Sequence, residues 1–177
     1  MKLRAETLRD LGGAQSPFNA FLFLQGLETL SLRMQRHVEN AMKIAEYLEG
    51  HELVSNVTYP GLENSAYRSL VEKYLPRGCG AVFSFDIRGG REAGQEFIRG
   101  VTLWSHLANV GDTKSLVIHP ASTTHRQLEE AELEAAGVGA GTIRLSVGIE
   151  NVDDLIWDLE QGFANARALS EGQEGSS

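Results

Sequence analysis

The sequence predicts an α+β fold in which about four strands form one sheet and helices cover one of its faces. Three observations support this prediction. Residues 81–87 and 142–147 alternate apolar and polar side chains, which is the period of a half-buried strand. Residues 152–167 instead place apolar side chains at helical spacing. A length of 177 residues with 42% hydrophobic side chains suits one domain with an ordinary core.

The charge balance restricts the classes of partner. The chain has 24 acidic and 16 basic side chains, a net charge of -8, and the basic residues are scattered. Such a chain would repel nucleic acid and anionic membranes, so neither is expected as a partner. No apolar run approaches the roughly 18 residues that span a bilayer, and no signal-peptide core follows the charged start. Because Cys79 is the single cysteine, no internal disulfide is expected, and we predict a cytoplasmic protein.

The beginning of the chain is predicted to be a connector followed by a long helix. Residues 1–15 show no long periodic pattern and are interpreted as a connector from a domain outside this chain. Ser16 suits a helix N-cap and Pro17 the first helical position, and no proline interrupts the pattern as far as Gly50. Residues 18–24 are apolar on nearly every side, so one face alone cannot bury them. A covering partner domain and a central core helix both fit this pattern.

The other elements follow from alternation, helical spacing and turn residues. They are predicted as a strand at 53–58, a helix at 65–74, a strand at 81–87, a helix at 91–98, an extended piece at 101–104, a strand at 114–118, a helix ending near 135, a strand at 142–147 and a helix at 152–167. Thr124 and Gln127 have capping-box spacing, and Gly137 suits the end of that helix. The domain is predicted to span residues 16–168, with a disordered tail at 169–177.

Arg144 is the main candidate for binding chemistry. It lies on the polar side of a predicted strand, and a guanidinium can bind a carboxylate through two parallel hydrogen bonds. The polar loop 109–114 joins two apolar segments, as ligand-contacting loops do. An ordinary solvent-facing arginine and a plain turn fit the same patterns. The residues favour a site for a small anionic metabolite, without a complete set of catalytic groups.

Three other chemistries have weaker support. A metal site would use His119 and His125, with His106 as a third ligand, but their spacing is not a common zinc pattern. A serine hydrolase would be expected to show a GxSxG sequence, which is absent. The glycine-rich residues 137–141 precede a strand, which is the wrong order for a phosphate-binding loop.

Four segments carry a family resemblance: LGGAQSPFNAFLFLQGLETLSLR, YPGLENS, SHLANVGDTKSLVIHPASTTH and IRLSVGIEN. From about Leu8 to Ala166, the chain resembles the C-terminal part of the Cys/Met-metabolism family of pyridoxal-phosphate (PLP) enzymes. The resemblance implies the small C-terminal domain of a fold-type-I PLP enzyme, with a mainly antiparallel sheet and a long N-terminal connecting helix. By position, Arg144 matches the arginine that binds the substrate α-carboxylate, Asn109 the loop residue that assists it, and Thr124 a residue that supports it.

The loop that begins Asn109-Val110-Gly111 resembles the sulfhydrylases of the family, whereas Ser-Leu-Gly resembles its cystathionine synthases and lyases. The resemblance therefore implies replacement of the acetyl group of O-acetylhomoserine by sulfide or methanethiol in a homo-oligomer, a tetramer by family. O-acetylserine is an open alternative substrate. Alternative functions are another transsulfuration enzyme, of the cystathionine γ-synthase or γ-lyase type, and a non-catalytic binding or assembly module. A free-standing metabolite sensor has weaker support, because one exposed ion pair between an arginine and an anion contributes only about 1 kcal/mol of binding free energy.

The resemblance also implies a lysine that holds PLP as a Schiff base. The chain has four lysines, Lys2, Lys43, Lys73 and Lys114, and none lies in the family's Ser-x-Thr-Lys context. The PLP-binding large domain would precede Leu8. We therefore expect no catalytic, cofactor-binding or metal-binding residue in this chain, and no turnover until a lysine-bearing large domain is combined with it.

Overall fold

The computed structural model describes residues 2–123, 127, 130–135 and 137–174. It divides into two units, Met1–Met34 and Gln35–Ser177, and the division falls inside one helix. Within the described ranges, no helix is both long enough and apolar enough to cross a lipid bilayer.

The first unit is built from helices. It contains a π-helical segment Leu3–Thr7, α1 (Leu8–Leu11), α2 (Pro17–Glu28) and the beginning of α3 (Leu30–Glu49). Residues 3–11 of the predicted connector are therefore helical. The predicted start of the long helix is confirmed, because the Ser16 hydroxyl accepts a hydrogen bond from Asn19 N at 3.1 Å and Pro17 is the first helical residue.

The long helix predicted as far as residue 50 is interrupted at Thr29, which separates α2 from α3. The Arg33 guanidinium donates to the Gly26 carbonyl at 2.6 Å. That carbonyl lies in the last turn of α2, where carbonyls have no backbone N–H partner within the helix. The Arg33 side chain therefore supplies the hydrogen-bond donor at the break. Neither a proline nor a cluster of turn residues marks Thr29, and the sequence therefore gives no sign of the interruption.

The second unit contains a sheet with helices. In chain order its elements after α3 are β1 (Val54–Thr58), α4 (Arg68–Tyr74), β2 (Val82–Ile87), α5 (Gly90–Gly100), β3 (Ser105–His106), β4 (Leu116–Ile118), a 3-10 turn Pro120–Ser122, α6 (Glu130–Ala135), β5 (Thr142–Ser146) and α7 (Val152–Glu174). The described strands are ordered β1-β2-β5-β4-β3. Neighbouring strands are antiparallel except β3 and β4, which are parallel.

The prediction of about four strands is corrected by the structure, since the described residues form a five-stranded sheet. The additional strand is β3, which follows the extended piece predicted at 101–104. Its two residues pair with β4, Ser105 opposite Leu116 and His106 opposite Val117. Two residues are too few to show an alternating pattern, so only the pairing identifies this strand.

One face of the sheet is covered by helices. Phe83, Phe85 and Ile87 of β2 are buried there in a single apolar cluster with residues of α3, α5 and α7. The rings of Phe85, Phe97 and Phe163 have centroids 4.9 to 6.0 Å apart, which connects β2 to α5 and α7.

The opposite face of the sheet carries the candidate arginine. Arg144 of β5 lies directly opposite Ser84 of β2 and Ile118 of β4. Residues directly opposite in antiparallel strands share a face, so these side chains project away from the aromatic cluster. The predicted outward position of Arg144 is therefore confirmed.

The last helix is longer than the sequence predicts. The expected end lies near residue 167, with a disordered tail from 169, whereas α7 continues to Glu174. Ala168, Leu169, Glu171 and Gln173 are good helix formers, which explains how the helix continues through the single Gly172. Residues 175–177 lie outside the described part of the chain.

Candidate functional site

Arg144 is held by the centre of the sheet. β5 is hydrogen-bonded to β2 on one side and to β4 on the other, so its backbone is fixed along both edges. Ile143 and Leu145 are fully buried beneath it, while the Arg144 side chain is partly exposed. The sequence alternates Ile-Arg-Leu, and this alternation anchors the strand from one face and leaves the guanidinium on the other.

Arg144 and Asn109 meet in the structure, as the family resemblance implies. Arg144 Nη2 donates a hydrogen bond to the Asn109 main-chain carbonyl oxygen at 2.8 Å. The Asn109 side-chain oxygen instead accepts from Val110 N at 2.9 Å. The contact with Arg144 therefore uses the Asn109 backbone, whereas the Asn109 side-chain amide forms a local hydrogen bond within the loop. Among the described residues, Arg144 forms no ion pair, and its side chain donates only to the Asn109 carbonyl.

A cavity of about 330 Å³ lies beside Arg144. Its walls are mainly apolar, with a few hydroxyl groups and the one guanidinium among the described residues. The lining residues are Thr58, Val82, Phe83, Ser84, Ile118, Pro120, Gly137, Val138, Thr142 and Arg144. An apolar cavity with a few polar groups is the usual form of a small-molecule site, and a guanidinium at its wall suits a carboxylate.

A larger cavity of about 400 Å³ runs along β1 and is less suited to an anion. Its described lining includes the Glu49 carboxylate and several uncharged polar side chains, but neither lysine nor arginine. A carboxylate ligand would meet a like charge there without a cation to offset it. The Arg144 cavity is therefore the better candidate, although it is the smaller of the two.

His119 lies between Ile118 and Pro120, two residues that line the Arg144 cavity, and it has a structural role. Its Nε2 is 2.8 Å from the Ala140 carbonyl and its Nδ1 is 2.9 Å from the Ser122 hydroxyl. Because a carbonyl can only accept, Nε2 carries the proton and Nδ1 accepts. Burial lowers the pKa of the His119 imidazole, which favours this neutral form. Both ring nitrogens are occupied, which argues against the metal site considered from the sequence.

Two residues of the sequence predictions lie outside the described part of the chain. They are Thr124, the predicted support for Arg144, and His125. The preceding residue, Thr123, donates its hydroxyl hydrogen to the His119 carbonyl at 2.9 Å. The role of Thr124 therefore stays a prediction.

The described residues do not fit a complete PLP site. Lys2, Lys43, Lys73 and Lys114 are all exposed, and none of them lines the Arg144 cavity. A Schiff base requires a lysine amine at the cofactor, and these four side chains lie on the surface away from the cavity. None of the four lysines of this chain is therefore placed at the Arg144 cavity as an attachment point for PLP.

Two carboxylates that the sequence analysis did not single out hold the segment around Asn109. Asp158 accepts hydrogen bonds from the backbone N–H groups of residues 102–104, and Glu150 binds Ser115 through both its oxygens. Glu150 lies four residues after the last residue of the strand that carries Arg144, which is a weak local signal. Asp158 lies within the polar and apolar pattern of α7, and nothing local distinguishes it from a solvent-facing residue.

The chain is similar in sequence to a family of known enzymes. The model of the family described as Cys/Met metabolism PLP-dependent enzyme matches residues 1–164. An O-acetyl-L-homoserine sulfhydrylase of Leptospira meyeri is 53% identical over 166 residues, which cover 93% of this chain and 38% of that protein. A homocysteine synthase of Schizosaccharomyces pombe is 54% identical over 160 residues, or 90% of this chain and 37% of that protein. The chain thus spans well under half the length of these curated relatives.

A solved structure shows the same fold. A Campylobacter jejuni protein assigned as an O-acetylhomoserine (thiol)-lyase, with N'-pyridoxyl-lysine-5'-monophosphate, matches with a TM-score of 0.83 and 45% sequence identity. The match covers 92% of this chain and 39% of that one. The α/β arrangement described above is therefore also part of a larger PLP-containing protein.

Proposed function

Because the chain belongs to the Cys/Met metabolism family of PLP-dependent enzymes, we propose that it is the substrate-carboxylate-binding part of a sulfhydrylase. The whole enzyme would replace the acetyl group of O-acetylhomoserine with sulfide or methanethiol, giving homocysteine or methionine. The observation that carries the proposal is Arg144, which faces an apolar cavity and donates, among the described residues, only to the Asn109 carbonyl. The names of the relatives that are about half identical support the choice of sulfhydrylase within the family.

In this proposal the chain orients the substrate and the cofactor lysine comes from elsewhere. PLP, when bound, withdraws electrons from an amino acid attached to it. Arg144 would fix the α-carboxylate, so that the rest of the amino acid is held in one orientation relative to the reacting groups. The apolar walls would exclude water from the side chain. Without a lysine at the cavity, the chain alone is expected to be inactive.

The partner we propose is the PLP-binding large domain of the family. α2 supports this, since it is apolar and has no buried residue. Phe18, Phe21 and Phe23 are each more than half exposed, which is unusual for a helix that faces only water. We further propose that the complete protein is a cytoplasmic homo-oligomer.

The first test is whether the chain can bind PLP covalently by itself. The chain is incubated with PLP, dialysed, reduced with borohydride and digested for mass spectrometry. We expect no lysine to be labelled stoichiometrically, because all four are exposed. Stoichiometric label at one lysine, for example Lys114, would overturn the proposal that the lysine comes from another segment.

The second test concerns Arg144 in the assembled enzyme. The chain is joined to, or co-expressed with, a lysine-bearing large domain, and homocysteine formation from O-acetylhomoserine and sulfide is measured. Arg144→Lys keeps the charge but loses the two-pronged geometry, so KM for O-acetylhomoserine should rise about ten- to a hundred-fold. Arg88→Lys is the control, since Arg88 is exposed and its side chain donates, among the described residues, only to the Glu52 carbonyl. An unchanged KM in Arg144→Lys would contradict the proposed carboxylate site.

A non-catalytic assembly module is the second candidate, and the exposed apolar surface of α2 favours it. The two candidates differ in the partner. Co-purification with a lysine-bearing PLP domain supports the enzyme, whereas a stable complex with a protein that lacks such a lysine supports the module.

A further inference from the structure

The segment that presents Asn109 to Arg144 is fixed at its base and little restrained at its tip. We call residues 105–115 the Asn109 loop. Its base is closed by a hydrogen bond from Ser105 N to the Ser115 carbonyl at 2.9 Å. Within the described part of the chain, the bond from Arg144 is the only hydrogen bond that joins residues 108–112 to another element. The position of the Asn109 carbonyl therefore depends on how firmly the base is held.

The entry to the loop is anchored by Asp158. This residue of α7 is fully buried, and its carboxylate accepts hydrogen bonds from three successive backbone N–H groups. The distances are 3.0 Å from Thr102 N, 2.8 Å from Leu103 N and 3.0 Å from Trp104 N. The backbone that leads into β3 is thus attached to the last helix.

The exit from the loop is anchored by Glu150. One carboxylate oxygen accepts from Ser115 N at 2.7 Å and the other from the Ser115 hydroxyl at 2.9 Å. The same hydroxyl accepts from Gly148 N at 2.8 Å. Gly148 and Glu150 lie two and four residues after the last residue of β5, the strand that carries Arg144. The loop that bears Asn109 and the strand that bears Arg144 are therefore joined through one serine.

The turn that carries Glu150 is itself held in place. The Asn40 side-chain amide donates to the Gly148 carbonyl at 3.1 Å and to the Glu150 carbonyl at 2.9 Å. Ile149 N donates to the Thr113 carbonyl at 3.0 Å. Asn40 is almost fully buried, so these bonds are protected from water. Glu150 is thereby presented to Ser115 from a rigid support.

We propose that Glu150, together with Asp158, is a positioning residue that fixes the Asn109 loop so that its carbonyl orients Arg144 toward a carboxylate ligand. The proposal rests on the proposed function for the identity of the ligand. The positioning itself rests on the contacts above. Neither carboxylate lines the Arg144 cavity, so both act through other residues.

The test compares Glu150→Ala with Glu150→Gln. Alanine removes both bonds to Ser115. Glutamine can keep them, because its oxygen can accept from Ser115 N while its amide nitrogen donates to the Ser115 hydroxyl. Ser115→Ala, which removes the hydroxyl and keeps the backbone N–H, is the second variant in case Glu150→Ala does not fold. Glu46→Ala, at an exposed position of α3, is the control.

Two readouts are measured. The first is hydrogen–deuterium exchange of the Ser105 and Ser115 backbone amides, which are hydrogen-bonded at the base of the loop. Their exchange should become faster in Glu150→Ala and remain near the parent rate in Glu150→Gln and Glu46→Ala. The second is the kinetics of the enzyme assembled with its large domain. Misplacing an orienting group should raise KM for the amino-acid substrate about ten-fold in Glu150→Ala and affect kcat less. Glu150→Gln should restore KM.

The outcomes separate this inference from the proposed function. Unchanged exchange in Glu150→Ala would overturn the anchoring. Faster exchange with an unchanged KM would overturn the positioning role, provided that Arg144→Lys raises KM. If Arg144→Lys also leaves KM unchanged, the proposed carboxylate site fails, and the substrate role of Glu150 fails with it, while the exchange result still reports on the loop.

Discussion

Arg144 owes its position to backbone pairing on both sides of its strand. Ser84 and Ile118 flank it on neighbouring strands, and the Asn109 carbonyl accepts a hydrogen bond from its guanidinium. A free arginine side chain loses roughly 2 kcal/mol of conformational entropy when it is fixed, and part of that loss is already incurred here before a ligand arrives. The site is thus prepared for binding by the fold itself.

His119 makes the stability of the protein sensitive to acid. Burial lowers its pKa in the folded chain, so below about pH 6.5 the unfolded chain binds more protons than the folded one. Its contribution to stability is complete above that pH and is lost as the pH falls toward the folded pKa. We expect the free energy of unfolding to decrease in this window by at most about 1.4 kcal/mol per pH unit from this group.

Urea denaturation at several pH values from about 7.5 to 5 checks this expectation. His119→Gln can still donate to the Ala140 carbonyl but cannot titrate, so its unfolding free energy should depend less on pH than that of the parent. The pKa of His51 is also lowered by burial, but His51 is present in both proteins and cancels in the comparison. Parallel pH profiles for parent and variant would contradict the role given to His119.

At the scale of elements, α5 and α7 approach each other through glycine. A Cβ on Gly162 would lie 2.8 Å from the Phe97 ring and 2.9 Å from its carbonyl oxygen. A Cβ on Gly100 would lie 2.6 Å from the Gln161 carbonyl oxygen. These distances are shorter than any ordinary carbon contact, so only glycine permits this packing. The close approach brings Phe97 and Phe163 into contact over the sheet.

Gly162→Ala should therefore destabilise the protein even though alanine is the better helix former. Overpacking typically costs about 1–3 kcal/mol, which exceeds a propensity gain of about 1 kcal/mol. Ala164→Gly, at an exposed position of the same helix, reports the propensity effect alone. Thermal or urea unfolding of the two variants measures both effects. A more stable Gly162→Ala protein would show that the helices do not pack as closely as described.

The sequence predicts those elements whose pattern is local. β2 and β5 show clear alternation, and the structure places them within a residue or two of the predicted bounds. Neither β3 nor the break at Thr29 has a periodic signal: β3 is recognised by its pairing with β4, and the break is spanned by the contact between Arg33 and Gly26.

The residues of the candidate site were also predicted only where the sequence carries a local pattern or a family motif. The resemblance implies that Asn109 assists Arg144, and the structure shows a hydrogen bond from Arg144 Nη2 to the Asn109 main-chain carbonyl. Glu150 and Asp158 were missed because their partners are distant in sequence. Glu150 binds Ser115, and Asp158 binds Thr102, over separations of 35 and 56 residues. A pattern within a short window cannot reveal such contacts, and single acidic residues are most often solvated.

For the molecule as a whole, the apolar surface of α2 predicts association. Phe18 is 68% exposed and Phe23 is 66% exposed, and several leucines of the same helix are similarly exposed. We expect the isolated chain to self-associate or to bind a hydrophobic dye, because such a patch is rarely left open to water. Sedimentation and dye fluorescence measure this.

Matched substitutions identify the surface responsible. Phe23→Gln in α2 should reduce dye binding and self-association, whereas Leu70→Gln, at a half-exposed position of α4, should have little effect. A monomeric parent protein without dye binding would contradict the proposal that a partner domain covers α2.

The strand order β1-β2-β5-β4-β3 has a consequence for how the chain is made. A ribosome releases β1 and β2 early, but β2 receives its second neighbour only when Ser146, the last residue of β5, has emerged. During this interval β2 keeps an open edge, and Phe83 and Phe85 lack the cover of α7. The stretch of translation between β2 and β5 is therefore when the nascent chain most needs a chaperone, and a nascent chain halted before Ser146 should aggregate more readily than one halted after α7.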